Sequence, residues 1–183
     1  MLIIGITGTL GAGKGTVVDY LVKEKGFKHY SVSGYLKEEL VKRNLEVNRP
    51  NLQNIANELR EKFGSDFITQ KLFTKTQTKN QNAIIESIRN PKEAKFIKSK
   101  GGIMFAVTAD QKIRYKRIIK RAGEKDKVTF EKFKKDEKRE MNSTDPTKQN
   151  LSKCILMADF KFDNNGTINK LYGEIEKTIE KII

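Results

Sequence analysis

The stretch that most restricts the fold is IIGITGTLGAGKGT, residues Ile3 to Thr16. Leu2 to Thr7 is a nearly unbroken apolar run, as expected of a strand buried on both faces of a parallel sheet. Gly8-Thr9-Leu10-Gly11-Ala12-Gly13-Lys14 follows, with the spacing glycine, four residues, glycine, lysine. Glycines let the chain curl so that successive N–H groups point into one concavity, where phosphate oxygens can replace water. The pattern Val17, Val18, Leu21 marks a helix whose positive end adds to that concavity. Lys14 would lie against the outer phosphates of such a ligand. Gly8, Thr9, Gly11, Ala12, Gly13, Lys14, Gly15 and Thr16 are therefore the candidate phosphate ligands. One departure from the general motif stands out: Gly15 separates Lys14 from the hydroxyl of Thr16.

Four more strand-like runs follow: His29 to Val32, Ala83 to Ile88, Ile103 to Thr108 and Phe160 to Asp163. Between them lie helical patterns. Leu52, Ile55, Ala56, Leu59 and Phe63 repeat at helical spacing up to Gly64. Asn90-Pro91 with Glu93 reads as an N-cap and first turn. Thr167 to Ile182 closes the chain, with Ile168, Leu171, Ile175 and Ile179 on one face. Alternating strands and helices predict an α/β fold with a five-stranded parallel sheet flanked by helices in three layers. The 183 residues suit one domain, 1–183, with two long insertions at 33–80 and 121–149.

No apolar run approaches the length that crosses a bilayer, and the opening residues lack a basic leader. With Cys154 as the single cysteine, no internal disulfide can form, and a reducing cytoplasm is the expected setting. The net charge of +14 attracts anions generally. The lysines are scattered over what read as solvated helix faces, and no nucleic-acid signature accompanies them. His29, the only histidine, falls at the start of a strand and reads as structural.

The sequence GKGT resembles the loop of nucleoside monophosphate kinases such as adenylate kinase. That resemblance implies ATP as donor and a magnesium ion held partly through water, with Thr16 supplying a metal- or phosphate-side hydroxyl. Tyr30 to Leu40 is similar to the kinase pattern in which a strand ends in Ser/Thr-Gly-Asp before an arginine-bearing helix. Here Ser33 and Lys37 stand as candidate acceptor ligands, Tyr35 replaces the acid and Lys37 the arginine; Ser33 equally suits a plain helix cap. Glu86-Ser87-Ile88-Arg89 resembles the acid-glycine-isoleucine-arginine turn of proteins related to dephospho-coenzyme A kinase, with Ser87 where that group has glycine. Glu86 is the candidate metal-side carboxylate and Arg89 the candidate grip on the acceptor; a mutual ion pair is the alternative. Arg117 and Arg121, four apart on one face, resemble the arginines that stack on adenine and reach the donor phosphates. Arg139 is a candidate second lid arginine, and Asn165-Gly166 the turn that lies near the donor adenine.

The resemblance, from Ile3 to about Glu180, implies a P-loop nucleotide kinase fold with an acceptor-binding insertion and a lid. The chain is similar both to dephospho-coenzyme A kinase and to the kinase-like segment of some deoxycytidylate deaminases. It implies phosphoryl transfer from ATP to a nucleoside or deoxynucleoside monophosphate. Dephospho-coenzyme A kinase activity, with a ribose hydroxyl as acceptor, and a nucleotide-dependent regulator without turnover are the alternatives. Oligomeric state stays open.

Overall fold

The computed structural model describes residues 1–78, 80–122 and 128–183; residues 123–127 of the expected lid lie outside it. Five parallel strands stand in the order β2-β3-β1-β4-β5, where β1 is Ile3–Gly8, β2 Lys28–Ser31, β3 Ala83–Ile88, β4 Ile103–Thr108 and β5 Phe160–Asp163. The most apolar strand thus lies at the centre, and every residue of β1 is buried. Because side chains alternate across a strand, Ile4 and Ile6 face one layer and Ile3 the other. The first layer is α1 (Lys14–Lys25) and α9 (Ile168–Ile182). The second holds α2 (Val32–Lys42), α3 (Arg49–Phe63), α4 (Phe67–Gln77), α5 (Pro91–Ser99) and α8 (Leu151–Leu156). Two highly charged helices, α6 (Gln111–Ala122) and α7 (Phe130–Met141), complete the order.

Local chemistry explains several boundaries. The second strand ends at Ser31, whose hydroxyl accepts from Gly34 N–H and caps α2. Val32, expected in the strand, therefore opens the helix, and Ser33 sits inside its first turn rather than serving as its cap. Asn90 and Glu93 form a reciprocal capping box at α5. Asn48 caps α3, which stops at Gly64. Two expected core residues are exposed: Phe63 stacks on Phe67 at the surface, and Ile168 sits in the first turn of α9.

The pairing of β1 with β3 carries an irregularity that positions the site. Ile6 pairs with Glu86 but Thr7 pairs with Ile88, which leaves Ser87 as an extra residue. Ser87 is buried with φ +72°, in the left-handed region that side chains avoid. The bulge aims Glu86 and Arg89 past the end of β1, and Thr7 Oγ1 locks it by donating to Ile88 O at 2.8 Å. Glycine would suit this backbone better than the serine that adopts it here. We expect Ser87→Gly to keep or raise stability by up to about 1 kcal/mol, and Ser87→Val to lower it by at least about 1 kcal/mol. Urea unfolding decides; a valine variant as stable as the glycine one would remove the strain argument.

Candidate active site

The loop between β1 and α1 is held in shape from three sides. Gly8 and Gly13 have φ of +142° and +99°; a Cβ on Gly8 would strike the Val107 carbonyl, and one on Gly13 the Asn164 amide. Asn164 Nδ2 donates to Ala12 O at 2.8 Å, and Arg114 Nη1 donates to Leu10 O at 3.2 Å. Lys14 curls back to donate from Nζ to Gly8 O at 3.0 Å and Thr9 O at 3.1 Å. Helix α1 begins at Lys14 with no side-chain cap, which leaves its positive end to a ligand. A Cβ on Gly15 would meet nothing within 4 Å. Gly15 therefore borders open space, as a residue beside an approaching ligand would.

A cavity of about 810 Å³ opens over this loop. Its wall gathers five cations, Lys14, Lys37, Arg89, Arg117 and Arg121, against the carboxylates Glu86 and Asp19. Desolvation, followed by repulsion from Arg89, depresses the Lys14 ammonium to about 8, although Glu86 and Glu140 oppose the shift. Burial raises the Glu86 carboxyl, but the facing His29, the Lys14 charge and the neighbouring Ser87 outweigh it. Glu86 is held below the usual carboxylate range. Ser31 Oγ also donates to Glu86 Oε2 at 3.2 Å, and His29 Nε2 stands 3.8 Å from the same oxygen.

A second cavity, about 210 Å³, lies between α2 and α3 and shares Leu10, Ser33, Ser87 and Arg89 with the first. Arg89 Nη1 donates to Glu140 Oε2 at 3.0 Å and Gln149 Oε1 at 3.3 Å. Its ion partner is thus Glu140 on α7, not Glu86. The 143–150 segment is anchored to the body: Asn90 Nδ2 donates to Pro146 O and Lys148 O, and Asn150 N–H to Arg89 O.

Most of the candidates converge. Gly11, Gly13, Lys14, Gly15, Thr16, Ser33, Lys37, Glu86, Arg89, Arg117 and Arg121 all line the larger cavity. Arg117 Nη2 donates to Asn164 O at 2.8 Å, while its buried Nη1 has no hydrogen-bond partner among the described residues. The loop residues Gly8, Thr9 and Ala12 are not part of that wall, and three further candidates sit elsewhere. Arg139 is on the outer side of α7, its side chain 65% exposed, 3.6 Å from Asp136. Asn165 accepts from Asp110 N–H at 2.7 Å and, like Gly166, is absent from the cavity wall. The turn residue that touches the loop is Asn164, one position earlier. Asn164 escaped notice in the sequence, as did Arg114, which bridges Leu10 O, Glu137 and the Phe133 ring. Its i, i+3, i+7 spacing with Arg117 and Arg121 was the available signal.

A family model described as an AAA domain matches residues 4–144. A UPF0200 protein from Sulfurisphaera tokodaii is 30% identical over 182 residues, covering 99% of this chain and 97% of that one. The chain is an AAA-domain protein of the UPF0200 family. The UPF0200 protein MMP1282 of Methanococcus maripaludis is 29% identical over 187 residues, covering 100% of this chain and 98% of that protein. Among solved structures, shikimate kinase from Acinetobacter baumannii has a TM-score of 0.61 at 15% identity, covering 99% of this chain and 94% of that one. Dephospho-CoA kinase from Campylobacter jejuni has a TM-score of 0.56 at 16% identity, covering 98% and 96%. These likenesses give this UPF0200 protein the P-loop kinase fold.

In this UPF0200 protein the depressed lysine gives a pH signature. An anion on the loop restores the ordinary ammonium pKa of Lys14, so the bound state is protonated where the empty one is not. Below 8 both states carry the proton; above it, binding must take one up. We expect affinity for inorganic triphosphate to fall about tenfold per pH unit above 8, with about one proton taken up per ligand near pH 9. Calorimetry in buffers of different ionisation enthalpy measures this; affinity that stays flat across that range would exclude Lys14 as the contact.

Proposed function

We propose that the protein transfers the γ-phosphoryl group of ATP to a nucleoside or deoxynucleoside monophosphate. One observation carries this reading: the phosphate loop and the smaller cavity share a wall at Leu10, Ser33, Ser87 and Arg89. Two substrates could therefore meet across Lys14 with anionic ends towards each other. The backbone concavity and Lys14 hold the donor phosphates, and Arg117 and Arg121 reach over them from α6. On the acceptor side Arg89 and Lys37 hold the incoming phosphate. Arg89 exchanges the carboxylate of Glu140 for it, one charge-assisted hydrogen bond for another. An acceptor phosphate is a nucleophile at neutral pH, so positioning and charge neutralisation suffice.

Thr16 and Glu86 offer a hydroxyl and an ionised carboxylate to the same cavity, hard oxygen donors that fit magnesium. When bound, such an ion would neutralise phosphate oxygens and hold them in line.

Glu86 also weighs between the readings. A hydroxyl acceptor, as in dephospho-coenzyme A kinase, benefits from a carboxylate of raised basicity. Glu86 is instead held below its ordinary range and hydrogen-bonded by Ser31, which favours the phosphate acceptor. Among the described residues no helix is long and apolar enough to cross a membrane. The test is ATP consumption across ribo- and deoxyribonucleoside monophosphates and dephospho-coenzyme A. We expect turnover with a monophosphate, and a loss of at least about 10²-fold in kcat/KM for Lys14→Ala without loss of fold. Turnover with dephospho-coenzyme A alone, or full activity in the lysine variant, would overturn the assignment.

A further inference from the structure

Arg60, on α3, is the most deeply buried cation of the acceptor side, its side chain 2% exposed. A guanidinium presents five N–H donors and accepts nothing. Here Nη2 donates to Glu93 Oε1 at a long 3.3 Å, while Nε and Nη1 have no hydrogen-bond partner among the described residues. Burying charged donors unsatisfied is costly. The ion pair compensates the fully buried Glu93 carboxylate but engages only Nη2; Glu93 Oε2 meanwhile closes the cap of α5 by accepting from Arg89 N–H and Asn90 N–H.

Arg60 borders a cavity of the acceptor side. It lines the 210 Å³ cavity but not the larger one over the loop, whereas Arg89 lines both. An acceptor that gives its phosphate to Arg89 therefore turns its other end towards Arg60. The walls around it, Leu36, Leu52 and Ala56, are apolar, with the amide of Gln53 beside them. A flat ring bearing hydrogen-bond acceptors suits such walls.

We infer that Arg60 reads the base of the acceptor nucleotide and selects cytosine or guanine over adenine. The inference rests on the monophosphate reading given above and deepens it. A donor-only group is satisfied by neighbouring acceptor atoms, which guanine supplies at O6 and N7 and cytosine at O2 and N3. Adenine places an amino donor beside the acceptor on its Watson–Crick and Hoogsteen edges, so Arg60 would leave one partner unmet. Glutamine, with one donor and one acceptor, has the opposite preference and matches adenine.

The experiment measures kcat/KM for CMP, GMP and AMP with the intact protein and with Arg60→Gln, alongside triphosphate affinity and thermal unfolding. In the unaltered protein we expect CMP or GMP to exceed AMP by roughly tenfold or more. In Arg60→Gln the preference should narrow or reverse towards AMP, while triphosphate affinity stays the same. AMP used as well as both others, or an equal loss on all three in the variant, would overturn the inference and leave the kinase reading standing. No turnover of any monophosphate, with triphosphate binding intact, would instead remove the kinase reading and this inference with it. Should Arg60→Gln fail to fold, Arg60→Lys keeps the charge but loses the spread of donors; there the preference for CMP or GMP should shrink, and an unchanged ratio would count against Arg60. The ranking in the unaltered protein decides in any case.

Discussion

Five cations share the wall of one hollow with two carboxylates, and the rest of the molecule is organised around holding them there. Mutual repulsion in a partly desolvated space works against folding, and the depression of Lys14 towards 8 is its signature. By linkage, an unfolded Lys14 binds its proton more tightly than the folded one, so below its ordinary pKa the empty loop is less stable than a neutral one would be. An anion in the hollow removes that conflict. The same charges that destabilise the empty state thus supply the binding energy, which is how a phosphate site comes to be both strained and strong.

What tolerates the strain is the sheet beneath. β1 is buried along its whole length and paired on both edges, so its end cannot yield when the loop is crowded. The neighbouring bulge at Ser87 uses the same rigidity: a left-handed serine persists only where the surrounding pairs over-determine it. On the reading proposed above, Glu86 before the bulge serves the metal side and Arg89 after it serves the acceptor. A single extra residue therefore separates the two roles by turning the chain between them.

The fold was legible because its signals are local. Apolar runs gave three of the five strands to the residue, and caps such as Asn90 with Glu93 are chemistry within four positions. The loop was legible for the same reason: its function is a property of consecutive N–H groups. The charged segment after α6 was not. Arg139 reads as a lid arginine from spacing alone, yet on α7 the residue turned inward is its neighbour Glu140, which meets Arg89. One position of helical rotation decided between them: Glu140 lies two turns beyond the buried Phe133 on the same face of α7, a signal that the charged run around it masks. Asn164 was missed for a related reason: a turn signal locates a turn, but only the packing against Gly13 says which of its residues reaches the loop.

Arg60 shows the limit most sharply. In sequence it is one arginine of a polar helix beside Glu58 and Glu61, and an exposed salt bridge is the natural reading. Its burial follows from long-range geometry: α3 packs on α2 while Glu93 arrives from α5, more than thirty residues on. Such a residue carries no local signature, because its ion partner lies on another helix, far along the chain. On the proposed reading, the donor half of the site is written in a short motif since every phosphate is alike, and the acceptor half is distributed over α2, α3, the turn after β3 and α7 since acceptors differ. Specificity in this fold is therefore expected to reside in buried, incompletely paired polar groups of the insertions, where sequence alone is least informative and a structure most so.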